Sequence, residues 1–176
     1  MNMNDITLRT LSPMLKTLAR WTLIVMAIGY AHGLLFVYHT TGITPHGVEE
    51  RYRGNQQQMQ QNADPPQEEM KFEKSLPEML NIIHTHIISM GTMFFITSII
   101  FAFCSLVSGA WKKFLLVEPF IAILTSFGSM WLMWKVNPLF SWLLMLSSGS
   151  MAVVFYITIY YSFRELMMKP GMGTKG

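Results

Sequence analysis

Four apolar segments, each long enough to cross a bilayer, constrain this chain more than any other feature of its sequence. They cover approximately residues 21–39, 82–107, 114–134 and 139–161. A helix of about 20 apolar residues crosses the ~30 Å hydrocarbon core of a membrane. Helices satisfy their own backbone hydrogen bonds in lipid, where water is absent. We therefore predict an all-α membrane protein with four transmembrane helices in one domain, residues 1–176, with the lipid bilayer as a partner.

Composition and charge exclude several other classes of protein. Charged residues make up 13% of the chain, against 51% hydrophobic residues, and the charged share is about half that of a soluble domain. The formal charge of +3 is spread along the chain, without the basic stripe that nucleic-acid binding requires, so we predict no nucleic-acid partner. The sequence contains no GxSxG, Walker A, HExxH or GxGxxG motif. We therefore do not expect catalysis by this chain alone.

The connections and the positive charges predict a topology. Short polar stretches at 108–113 and 135–138 force antiparallel neighbours, which gives an up-down bundle. Basic residues concentrate on the side that carries both chain ends, which the positive-inside rule places in the cytoplasm. The long loop at about 40–75 then faces the periplasm of a bacterial inner (plasma) membrane. The basic residues on the predicted cytoplasmic side are Arg9, Lys16, Arg20, Lys112, Lys113, Arg164, Lys169 and Lys175.

The long loop and the start of the second span carry local signals. Gly42 and Gly47 predict tight turns after the first span. The stretch 55–69 is rich in Gln and Asn and predicts a solvated tether. Ser75 and Glu78, with Pro77 between them, predict a capping box at the start of a helix that continues to Val107, about 48 Å in length.

All five histidines lie in the first two spans and their connection, and they are the main candidates for a site. Ionisable residues in membrane helices are costly and by default indicate function. His32 and His39 are seven residues apart and share a helix face, whereas His84 and His86 point about 160° apart, so only one of them can face the first helix. In depth, His39 best matches His84 or His86. His46 lies in the loop.

Four hypotheses about the histidines remain open. His32, His39, His84 and His86 are candidate ligands of a single haem b, with Gly29 and Gly33 leaving room for the porphyrin. His39, His84 and His86, with Met90 as a soft ligand, are candidates for copper or zinc. A third hypothesis is a proton or quinone-headgroup site. In the fourth, no cofactor binds and the histidines lie at the membrane interface, where they pair with tyrosines such as Tyr30 and Tyr38.

Other polar residues in the spans have simpler interpretations. Glu118 is interpreted as a carboxylate near a helix start that pairs with Lys112 or Lys113. Residues 147–150, Ser-Ser-Gly-Ser, predict close helix packing. Cys104, the single cysteine, is interpreted as a small buried apolar residue.

Two segments resemble a known group of proteins. Residues 38–55 read YHTTGITPHGVEERYRGN, and residues 70–80 read MKFEKSLPEML and lead into His84-Thr-His86. They resemble a loosely defined group of small, uncharacterised bacterial inner-membrane proteins with four helices, found near respiratory or cytochrome genes. The resemblance covers residues 30 to 100 and not the later spans. It implies a respiratory or redox setting.

These observations together predict an accessory integral-membrane subunit of a respiratory or other redox complex, which binds one haem b or metal through histidines on its outer side. Other membrane subunits are then its partners. Two alternatives stay open: a free-standing membrane protein that handles copper or another metal, and a structural subunit without a cofactor.

Overall fold

The computed structural model describes residues 6–56 and 70–169. Within them the chain forms five α-helices and no strand. Four of the helices are long and apolar enough to cross a membrane, which confirms the predicted all-α fold with four transmembrane helices. The fifth, α2, was not predicted. The helices are α1 (Pro13–Thr41), α2 (Pro45–Arg53), α3 (Leu76–Ala102), α4 (Gly109–Lys135) and α5 (Phe140–Leu166).

The last two helices form the best-packed part of the bundle. Ten of the 27 residues are buried in α4, and ten of 27 in α5. In α5 the buried positions recur every three or four residues, the spacing of one face of a helix that packs against neighbours. The third helix joins them through Phe94, whose ring makes an edge contact with Phe155 at 5.4 Å between centroids. The buried α5 positions are Ser141, Leu144, Ser147, Met151, Val154, Phe155, Thr158, Ser162, Glu165 and Leu166.

The first helix lies at the edge of the bundle. Only three of its 29 residues are buried, and residues 31–39 are exposed on every side. Below that stretch, the Tyr30 ring packs against Phe155 at 4.6 Å between centroids, and the Tyr156 hydroxyl donates to the Ala27 carbonyl at 3.2 Å. Tyr30 is therefore the last residue of α1 that packs into the bundle before the helix becomes exposed all round.

The short helix α2 covers the end of the bundle that we call the loop end, where α1 finishes and α3 begins. Thr44 caps it and Pro45 opens it. Its Val48 is buried in the main core, and the Arg53 guanidinium donates to the Met133 carbonyl of α4 at 3.2 Å. Helix α2 thus links the end of α1 to the rest of the bundle.

The two glycines after the first span behave differently. Gly42 ends α1 in the left-handed conformation, with φ of 63°, as the predicted turn requires. The prediction for Gly47 is wrong, because Gly47 lies inside α2. A Cβ there would come within 1.9 Å of the Thr41 carbonyl oxygen, so glycine is needed for close approach of the two helices and not for a turn.

The opposite end, which we call the termini end, joins the start of α1, the connection between α3 and α4, and the end of α5. That connection is residues 103–108, earlier than the predicted 108–113, because α3 ends at Ala102 and α4 begins at Gly109. The helix α3 is therefore about 40 Å long and not 48 Å. Buried Glu165 of α5 explains the early break. Its carboxylate accepts hydrogen bonds from Ser105 N (2.6 Å), Ser105 Oγ (2.8 Å) and Leu106 N (3.1 Å), which holds the chain in a non-helical conformation.

The capping box at the start of α3 is confirmed. Glu78 accepts hydrogen bonds from both the amide and the hydroxyl of Ser75, each at 2.8 Å. The predicted tether at 55–69 falls mostly outside the described residues, as does the basic residue Lys175. At its two described edges, the Lys71 amide donates to Asn55 Oδ1 at 2.8 Å and the Lys74 amide donates to the Tyr52 carbonyl at 2.9 Å. The ends of this connection are therefore held together.

Candidate functional site

Two of the histidines share one local geometry. His32 Nδ1 lies 2.9 Å from the Ile28 carbonyl oxygen, and His86 Nδ1 lies 2.7 Å from the Ile82 carbonyl oxygen. A carbonyl oxygen can only accept, so Nδ1 must carry the hydrogen in both rings. In the neutral ring the lone pair then lies on Nε2. Both histidines therefore present the nitrogen that can bind a metal or haem iron.

The structure places the candidate histidines on different surfaces. His32 and His39 belong to the exposed stretch of α1, where the His39 ring contacts Tyr38 edge-on at 5.4 Å between centroids. His84 and His86 are both exposed, and the His86 ring also lies 5.8 Å from the Phe127 ring of α4 between centroids. Within the His84–His86 pair, His86 is thus the residue with a ring contact to another helix, and that helix is α4 and not α1.

The metal hypothesis needs several ligands to converge. Across residues 6–56 and 70–169, no group of three or more His, Cys, Asp or Glu side chains could hold a metal ion. The structure therefore does not bring His39, His84 and His86 together within one chain. Met90, the soft ligand proposed with them, packs against the main core. The roles of these residues as ligands stay predictions.

The remaining histidine takes part in an ion-pair network at the loop end. Glu50 is buried, and its two carboxylate oxygens lie 3.1 Å from His46 Nε2 and 3.1 Å from Lys71 Nζ. Next to it, burial raises the pKa of the Tyr52 phenol, which is therefore neutral at physiological pH. The Arg51 guanidinium lies over the Phe36 ring of α1 at 5.2 Å. These contacts fix α2 against α1 and the long connection.

A carboxylate inside α4 is a functional candidate that the sequence interpretation undervalued. Glu118 Oε1 accepts a hydrogen bond from Ser150 Oγ of α5 at 2.5 Å. Glu118 Oε2 is shielded from solvent and has no hydrogen-bond partner. The predicted pairing with Lys112 is wrong, since Lys112 Nζ donates to the Ala102 and Cys104 carbonyls, each at 2.7 Å. The signal in the sequence was its position, nine residues into an apolar helix.

Serines between α4 and α5 confirm the predicted close packing. Ser126 Oγ and Ser147 Oγ are 2.8 Å apart, and Ser148 Oγ donates to Ser126 Oγ at 3.3 Å. Small side chains let two helices approach, and hydroxyls can bond across the interface. Ser150 extends this row of polar contacts between α4 and α5 to Glu118.

A family model matches most of the chain. The family model Aq_1264_TM, described as a transmembrane helical domain, matches residues 42–172. The chain belongs to the Aq_1264_TM family. No curated protein matches it, and no solved structure does. The Aq_1264_TM match supports the predicted membership in a group of helical membrane proteins, and it extends through the later spans, beyond the predicted limit at residue 100.

The bounds of the Aq_1264_TM match divide the candidate residues into two sets. The match begins at Gly42, the residue that ends α1. His84, His86 and Glu118 lie inside it, while His32 and His39 lie before it. The family domain therefore corresponds to α2–α5, and the exposed first helix precedes it.

Proposed function

We propose that this chain is an accessory integral-membrane subunit of a respiratory or other redox complex, and that His32 and His86 offer axial ligands to haem b. The observation that carries the proposal is the shared orientation of the two rings. Ligand histidines in proteins usually donate their second ring N–H to a carbonyl or carboxylate, which fixes the tautomer and the direction of the ligating nitrogen. His32 and His86 both have this arrangement.

The number of available ligands favours haem over a self-contained copper or zinc site. Haem iron takes one or two axial ligands from the protein, whereas zinc sites need three or four converging side chains. The described residues offer single histidines and no converging group. A haem held by one histidine of this chain and one from a neighbouring subunit also accounts for the exposure of His32.

The surroundings of His32 supply room for a flat ligand. A Cβ built at Gly29 or at Gly33 would have no neighbour within 4 Å. Both glycines are exposed, and Gly33 lies in the stretch from residue 31 to residue 39 that is exposed on every side. A porphyrin or a helix of another subunit can therefore approach the backbone beside His32 closely. An exposed imidazole in lipid is costly, which favours coverage of this surface by a partner.

We further propose a location and a topology. The positive charges place the termini end in the cytoplasm of a bacterial inner membrane and the loop end, with α2, in the periplasm. The charge distribution supports this orientation, because Arg9, Arg20 and Lys112 all lie at the termini end.

Visible spectroscopy of the purified protein tests the haem. Protein expressed in membranes with sufficient haem supply and extracted in mild detergent is expected to show a Soret band. The band should be lost or shifted in His32→Ala and His86→Ala. His46→Ala is the matched control, since His46 is an exposed loop-end histidine bound to Glu50, and its Soret band should be unchanged.

Other outcomes would favour the alternatives. Folded protein without a Soret band, but with copper found by elemental analysis and lost in His39→Ala, would replace haem with a metal-handling function. Neither signal, together with stable co-purification of a larger enzyme, would leave a structural subunit. Folded protein that runs alone, with neither cofactor, would contradict the proposal as a whole.

A further inference from the structure

We propose that Glu118 is a proton-binding site within the membrane, where its depth in the hydrocarbon, a single hydrogen-bond donor and the lack of an ion-pair partner among the described residues favour the neutral acid. The inference does not depend on the histidines or on a cofactor. It rests on the depth of Glu118, on the environment of its two oxygens and on the groups around it.

The depth follows from helix geometry. Glu118 is the tenth of the 27 residues of α4, so it lies about 13 Å along the axis from the start of the helix. The whole helix is about 40 Å long, and its ends extend about 5 Å beyond each side of a ~30 Å hydrocarbon core when it is centred. Glu118 is then about 8 Å inside the hydrocarbon. An ionised carboxylate at that depth is costly unless something compensates its charge.

The two oxygens differ in their environment. Oε1 accepts a hydrogen bond from Ser150 Oγ at 2.5 Å, a short contact between neighbouring helices. Oε2 is shielded by the chain itself and has no donor among the described residues. A carboxylate needs several donors to remain ionised away from water. Glu165 shows the contrast, because three hydrogen bonds from residues 105 and 106 reach its oxygens.

The groups that surround Glu118 cannot neutralise it. No ion pair joins Glu118 to a basic residue in the described part of the chain, where the six ion pairs involve other carboxylates. The Tyr30 phenol of α1 lies close enough to interact electrostatically with Glu118. Phenols are neutral at physiological pH. A proton on the carboxyl group is therefore the simplest compensation, and it can come from water at either side of the membrane.

The site lies where three helices meet. Glu118 belongs to α4, Ser150 and Tyr156 to α5, and Tyr30 to α1. Tyr30 is also the position at which α1 leaves the bundle. Loss of the proton would place a full negative charge beside this contact, so the site couples proton binding to the packing of α1.

Infrared spectroscopy of the detergent-solubilised full chain tests the proposal. The protein should show the C=O stretching band of a protonated carboxylic acid at neutral pH, and the band should shift in D₂O. Glu118→Gln should remove it. The matched control is Glu73→Gln at the loop end, where the carboxylate is half exposed and lies 3.9 Å from Lys135 Nζ. This control should leave the band unchanged.

A second measurement works on the unmodified chain, in case Glu118→Gln does not fold. A hydrophobic carbodiimide adds to a protonated carboxyl group within lipid: the acid proton moves to a carbodiimide nitrogen, the carboxyl oxygen bonds to the central carbon, and rearrangement gives a stable N-acylurea. Peptide mass spectrometry should find most of the adduct on Glu118. Absence of the protonated-acid band at neutral pH, or its persistence in a folded Glu118→Gln variant, would overturn the proposal.

Discussion

The first helix and the α4–α5 pair are equally apolar but differ in how much of their surface they bury. The mean hydropathy of the best window is 1.6 in α1, 1.6 in α4 and 1.8 in α5. Yet α1 buries three residues of 29, whereas α4 and α5 each bury ten of 27. Lipid and protein are similarly apolar, so hydropathy does not drive helices together in a membrane. The comparison shows that small and polar residues at the right spacing decide which spans pack.

The family match begins at the boundary between α1 and the other helices. Residues 42–172 correspond to α2–α5, and α1 precedes them. The helix that packs least is thus the one outside the family domain, and it carries His32 and His39. We interpret α2–α5 as the structural unit and α1 as the part that faces other molecules.

The largest expected effect is on the stability of the packed helices. Phe155→Ala in α5 removes a fully buried ring that contacts Tyr30 and Phe94 and should cost about 3–5 kcal/mol. Phe36→Ala in α1, where the ring is 59% exposed, should cost less than about 1 kcal/mol despite its contact with Arg51. Thermal unfolding in detergent measures both. Equal costs would show that α1 packs as tightly as α5.

A smaller effect is expected at the termini end. Glu165→Gln should reduce stability by about 3 kcal/mol, because the three hydrogen bonds from Ser105 and Leu106 reach both carboxylate oxygens and an amide accepts through only one. Glu73→Gln, at an exposed ion pair, should change stability by less than about 1 kcal/mol. Unfolding curves of the two variants, recorded side by side, measure both changes in stability. An unchanged Glu165→Gln variant would mean that the connection at 103–108 does not depend on α5.

Alanine substitutions at two glycines compare a closely packed position with an open one. Gly47→Ala places a Cβ against the Thr41 carbonyl and should destabilise the junction of α1 and α2 by about 1–3 kcal/mol. Gly33→Ala has free space around it and should leave stability unchanged or raise it by up to about 1 kcal/mol, through helix propensity. If Gly33→Ala instead removes a Soret band from folded protein, the glycine serves ligand approach.

The smallest effect is expected from a single cysteine substitution, which tests which thiols can be labelled and which side of the membrane the loop end faces. Burial raises the pKa of the Cys104 thiol to about 12, so at pH 7 it is protonated, and its reactivity should increase only as the pH rises toward that value. Ile43→Cys puts a second thiol just beyond α1, at a residue that is 53% exposed. A membrane-impermeant maleimide added to intact cells should label Ile43→Cys and leave Cys104 unlabelled. Labelling of Ile43→Cys only after the cells are broken would reverse the proposed orientation.

Much of the fold could be predicted from the sequence, because spans, caps and small-residue packing are local properties. The four helices, the Ser75–Glu78 capping box and the left-handed Gly42 all follow from patterns within a few residues. Helix α2 was missed because its sequence, PHGVEERYR, has a glycine at its third position and low hydrophobicity, and it is positioned by distant partners such as the Met133 carbonyl. The end of α3 was missed for the same reason, since Glu165 lies 60 residues away from Ser105.

The candidate site was predictable only in part. Clustering and spacing identified His32 and His86, but the direction of each ring depends on hydrogen bonds to Ile28 and Ile82 that spacing alone does not give. Glu118 was interpreted from its sequence neighbours, Lys112 and Lys113, while its actual partner is Ser150 on another helix. Contacts between helices decide which polar residues are compensated, and the sequence does not show these contacts.

The exposed stretch of α1 from residue 31 to residue 39 is attached at both ends. Tyr30 fixes one end in the bundle, and the buried Thr41 fixes the other against Gly47 of α2. Because both of its ends are held, this helical segment loses most of its conformational entropy when the chain folds. A molecule that binds there therefore meets a preorganised surface, and little of its binding free energy is spent on ordering the helix.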